Sequence, residues 1–163
     1  MIKALEGIGK VHWVTGLLLT TILISWMVYQ QSIINAPVEV VNMPFDPACD
    51  LRAGPCETIL NDGSRVSFAI LPLDIPVSKT LTLEVTVTGL APDNVAVDIN
   101  GVEMKMPPNI VNLESTGKGL YSGKGALSFC TRSIMEWESV IILGMGNKQI
   151  NLPFRFITSD KRY

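Results

Sequence analysis

The chain has 163 residues, enough for one domain of ordinary size once a membrane segment is set aside. Its 13 basic and 15 acidic residues nearly balance, and only Lys3, Lys10 and Glu6 among them precede the long apolar run, so no strongly basic face is left for nucleic acid. The apolar excess is local to the N-terminus, and the remainder alternates apolar and polar residues as water-soluble domains do.

Between Lys10 and Glu39 no residue carries a full charge. Residues 11–29 are long enough as a helix to cross roughly 30 Å of hydrocarbon. Trp13 near one end and Trp26 with Tyr29 near the other are placed as interfacial aromatics, so the lipid bilayer is the first expected partner. Lys3 and Lys10 precede the run and the next basic residue is Arg52, a bias that keeps the N-terminus in the cytoplasm and exports the rest of the chain. The expected organisation is a cytoplasmic N-terminus over 1–10, a transmembrane anchor over 11–34, a tether over 35–48 and a periplasmic domain over 49–163. A cleaved signal peptide is the rival reading. Its best cut follows Ala36, but Ile34 is bulky where a small residue is wanted and Pro37 would come next, which favours a retained anchor. Thr15, Gly16, Thr20, Thr21 and Ser25 are small positions that serve helix packing or simply face lipid.

Past the anchor, residues 32–47 show breakers and little period. Strand-like alternation then places Val66, Phe68 and Ile70 on one face, followed by Leu81, Leu83, Val85 and Val87, then Val95, Val97 and Ile99. Asn100-Gly101 reads as a turn or bulge, and Val102, Met104 and Met106 read as the next strand. Tyr121, Leu127 and Phe129 share parity, as do Trp137, Ile141 and Leu143, and Leu152, Phe154 and Phe156. No exported segment carries a helical period. The expected fold is all-β, an immunoglobulin-like or cupredoxin-like antiparallel sandwich of about seven strands preceded by one transmembrane helix.

The only histidine is His12, at the cytoplasmic boundary of the anchor. The exported part therefore has no imidazole for a Ser-His-Asp or Cys-His arrangement, for the usual zinc sites or for a His₂Cys blue-copper site. The glycines at 117, 119, 123 and 125 lie in a strand pattern without the following helix that a phosphate loop needs. Glu136 and Glu138 flank Trp137 on an outward strand face and read as solvated rather than catalytic. No catalytic residue is assigned, and the chain is not read as an enzyme.

Cys49 and Cys56 bracket a short Pro- and Gly-containing loop, and in an oxidising compartment such a pair closes a disulfide. Cys130 is then an odd thiol, although pairing of Cys130 with either of the others is an open alternative. Without imidazole, sulfur is the soft ligand that the domain offers, through Met104, Met106, Cys130 and Met135. Thioether and thiolate groups select Cu(I), while methionine equally fills irregular core space. Pro107-Pro108 ends the segment and puts Met106 at a sheet rim, where a metal has access.

The order Met104-Lys105-Met106-Pro107-Pro108, then Gly117-Lys118-Gly119-Leu120-Tyr121, then Met135-Glu136-Trp137-Glu138 resembles the YtkA-like and FixH-like membrane-anchored β-domains, over about residues 80–143. The FixH-like side of that resemblance implies a role in the assembly of copper-containing terminal oxidases, and the lead-in over residues 49–56 is similar to that of an uncharacterised proteobacterial group. The Cys49 to Cys56 lead-in departs from the pattern, and histidines found near the methionines in some relatives are missing. The sequence thus leads to a single-pass protein of a bacterial inner membrane, a non-catalytic accessory in copper handling or respiratory oxidase assembly with Cu(I) as its metal and an envelope or oxidase-assembly protein as its partner. The rival from another class is an interaction module whose sulfurs are structural.

Overall fold

The computed structural model describes residues 2–34, 37–104, 106–128 and 134–159. It separates into two compact units, 1–37 and 38–163. The first is one helix, α1 (Ile2–Ile34), unbroken because no proline or glycine pair interrupts it. Within it Trp13–Gln31 is long and apolar enough to cross a membrane, and Trp13, Trp26 and Tyr29 are all exposed. Thr20 and Thr21 return their hydroxyls to the carbonyls of Leu17 and Leu18, both at 2.9 Å, which satisfies them without water.

Among its described residues the second unit has nine strands: β1 (Glu39–Asn42), β2 (Cys56–Ile59), β3 (Arg65–Leu71), β4 (Thr80–Thr88), β5 (Asn94–Gly101), β6 (Ile110–Gly117), β7 (Leu120–Ala126), β8 (Ile134–Met145) and β9 (Lys148–Ser159). They form one curled sheet in the order β1-β9-β8-β5-β6-β7-β4-β3-β2. All neighbours are antiparallel except β1, which runs parallel to β9. The count exceeds the expected seven, and hydrogen bonding is continuous from one edge to the other. Continuity is due to β6, whose first half pairs with β5 (Asp98↔Ile110 to Val95↔Leu113) and whose second half pairs with β7 (Glu114↔Ser122). A strand that changes partner half-way turns a corner in the sheet.

Curling brings the inward faces together. Phe68 of β3 and Phe154 of β9 meet with ring centroids 5.5 Å apart, although they sit near opposite ends of the strand order. Around them the alternating residues of β4, β5 and β8 are buried, with Leu83, Val97 and Trp137 fully enclosed. Trp137, as its parity with Ile141 and Leu143 implies, is a core residue, and its indole N–H donates to Thr158 Oγ1 at 2.9 Å.

Three features differ from the sequence expectation. The segment taken as a tether, 35–48, contains β1, held on β9 by Glu39 N–H to Asn147 O and Met43 N–H to Asn151 O, both at 2.8 Å. Asn100-Gly101 is not a turn; it completes β5 opposite Glu138 and Trp137. Met104 and Met106, expected on a strand, lie in the connection to β6, because the prolines at 107 and 108 remove two successive donors from any ladder there. Between β2 and β3 the turn is fixed by Asp62 Oδ1, which accepts the Ser64 N–H at 2.9 Å. That bond and the Ser64 hydroxyl hold the Asp62 carboxyl below its ordinary value.

Candidate functional site

The site grows from the end of β5. Val95, Val97, Ile99 and Gly101 share one parity and face inward, and Gly101 stands opposite Trp137 of β8. One further rung follows, with Val102 N–H donating to Glu136 O at 3.0 Å, and then Met104 N–H turns back to Gly101 O at 3.4 Å. Two residues before Trp137 on the same inward face is Met135, 4% exposed. The chain reversal after Gly101 thus folds Met104 and Met106 towards the strand that carries Met135.

What they surround is the bare α-carbon of Gly101. A Cβ there would stand 3.2 Å from Met135 Cε, 3.7 Å from Met104 Cβ and 4.0 Å from Met106 Cε. Met104 and Met106 are half-buried and pack against the rim of the core. Of the four sulfur-bearing residues singled out from sequence, three therefore have an atom beside Gly101: the terminal methyls of Met135 and Met106, and the Cβ of Met104 where the chain reverses. Cys130, the fourth, lies outside the described residues, as does Lys105. Gly101 itself escaped the sequence reading because Asn-Gly suggested a turn. The signal that marks it is its inward parity, since a glycine facing the core of a strand indicates close approach of other atoms.

Chemically the three side chains are uncharged thioethers packed in or against the apolar core. Methionine is unbranched with three rotatable bonds, so its methyl and sulfur exchange places by rotation without moving the backbone. Such thioethers suit Cu(I) and offer little to hard cations. Among the described residues no group of three or more His, Cys, Asp or Glu could hold a metal ion.

Cys49 and Cys56 are joined by a disulfide, with Cα atoms 5.7 Å apart. The loop between them sinks Leu51 into the core at 0% exposure, and Arg52 Nη1 donates to Ile157 O at 3.3 Å. The bridge thus ties the lead-in to the start of β2, and Arg52 ties the loop to β9. Glu136 and Glu138 clasp Arg155, whose Nε lies 2.8 Å from Glu138 Oε1 and whose Nη1 lies 3.6 Å from Glu136 Oε1. The Phe45 ring covers that guanidinium, 5.1 Å from Cζ to centroid. These carboxylates are partners of a cation on a half-exposed face, an arrangement that serves structure.

No family model matches the chain, nor does any curated protein or solved structure.

Proposed function

We propose that the protein is a membrane-anchored, non-catalytic accessory of the bacterial envelope that carries Cu(I) on thioether ligands, in copper handling or in the maturation of a copper-containing respiratory oxidase. The gathering of Met104, Met106 and Met135 around Gly101 supports the reading, because thioether side chains are the soft, neutral ligands that Cu(I) selects. The apolar helix α1 fits a single-pass anchor, and the Cys49–Cys56 disulfide fits an oxidising compartment such as the periplasm. Lys3 and Lys10 favour a cytoplasmic N-terminus. The likeness to FixH-like domains agrees with the same role, and the curled sheet is read as a variant of the immunoglobulin-like or cupredoxin-like sandwich, closed around Phe68 and Phe154.

The test uses the full chain in detergent micelles, titrated anaerobically with Cu(I) against a competing chelator. Wild type is expected to take up Cu(I), and the double change Met104→Leu with Met106→Leu to lose it while keeping its fold, since Met-to-Leu nearly conserves volume. Equal uptake by the two proteins, or none by wild type, overturns the proposal. The interaction-module reading is favoured by a separate observation: among the described residues the sheet ends in β1 and β2, each with one edge unpaired by another strand. It requires a partner captured equally well by wild type and by the double variant.

A further inference from the structure

We infer that Gly101 is the positioning residue of the thioether site: its missing side chain leaves the room taken by the ends of Met135 and Met106 beside the Met104 Cβ, with entry past Met104 and Met106 and closure on the core side by Met135. The inference rests on the thioether reading above.

Nothing in the backbone demands glycine at this position. Gly101 is the last residue of β5 and is not among the residues with positive φ, so an L side chain fits its conformation. It is also buried and faces inward in line with Val95, Val97 and Ile99, where a strand ordinarily places a β-branched residue. A glycine in a strand gives up packing and backbone entropy, so its presence here points to a need for room. The atoms that take the room are methionine atoms. Met135 Cε would be 3.2 Å from an added Cβ, closer than the roughly 3.5–4.0 Å of comfortable carbon contact, with Met104 Cβ and Met106 Cε just beyond. An alanine would push the Met135 methyl away and occupy the space beside Met106 Cε and Met104 Cβ.

The three methionines differ in exposure, which sets a direction. Met104 and Met106 are half-buried in the connection after β5, whereas Met135 is buried on β8. An arriving ion meets the outer pair first, and rotation of the Met135 thioether completes a three-sulfur site from within. Trp137, opposite Gly101 in the ladder, stands next to that movement and reports it by fluorescence.

The decisive variant is Gly101→Ala, which keeps every sulfur. In the full chain in micelles, with Cu(I) as the probe, Gly101→Ala is expected to weaken Cu(I) binding by about 10- to 100-fold, the usual scale for residues that orient metal ligands. X-ray absorption is expected to count three sulfurs around copper in wild type and two in the variant. A Gly101 that merely relieves crowding would change the melting temperature but neither affinity nor sulfur count, and that result overturns the inference while leaving the thioether reading intact. Absence of Cu(I) binding in wild type removes both. Should Gly101→Ala fail to fold, methyl-labelled wild type decides: Cu(I) is expected to shift the Met104, Met106 and Met135 methyl signals and the Gly101 α-proton signal together, leaving those of Met43 and Met145 in place. Shifts confined to Met104 and Met106 overturn the inference.

Discussion

Trp137 and Ser139 lie two residues apart on the inward face of β8 and are both fully buried, yet their polar atoms fare differently. The indole N–H of Trp137 is satisfied by Thr158 Oγ1. Ser139 Oγ, between Ile99 and Phe154 in the ladder, has no hydrogen-bond partner among the described residues. An unpartnered buried hydroxyl costs on the order of 1–3 kcal/mol, whereas alanine in its place leaves only a small void. Ser139→Ala is therefore expected to stabilise the domain by about 1 kcal/mol, a rise of about 4 °C in melting temperature by calorimetry. A fall would mean that the hydroxyl finds a partner in solution. Trp137 was legible as core from its parity, but its indole N–H is bonded only because Thr158 lies within reach two residues along β9 from Phe156, the residue opposite Trp137.

At the scale of elements, β6 is the informative strand. Its first half belongs to β5 and its second to β7, so only Leu113 along its length is buried, and Ile110–Gly117 shows no sustained alternation. That is why sequence periodicity passes over it. β1 and β2, four residues each, are too short to display a period. The apparent alternation of Val102, Met104 and Met106 arises in a connection instead. Where β6 crosses, Gly123 of β7 leaves room. A Cβ there would lie 2.6 Å from Leu113 Cδ2 and 3.3 Å from the backbone oxygen of Asn112. The side chain can yield, but the carbonyl is held in the corner. Gly123→Ala is expected to destabilise by about 1–3 kcal/mol, the range for overpacking. Thermal denaturation checks it, and an unchanged midpoint would mean that the corner relaxes freely.

For the whole molecule, the proposed orientation makes two linked demands. The sequence has three cysteines, and two are joined to each other. Thiol counting on the purified, unfolded chain is expected to find one thiol before reduction and three after it. Protease added to intact spheroplasts is expected to digest the β-domain, and protection of the C-terminal part would reverse the orientation. The apolar helix, the β character of the remainder, most strand positions and the supply of sulfur side chains were all determined by the sequence, because each depends on residue type and local period. Only the tertiary structure decided the single continuous sheet and the meeting of Met104, Met106 and Met135 around Gly101. Both arise from β6 changing partners and from β8 lying beside the end of β5, pairings between segments far apart in the chain that no local pattern encodes.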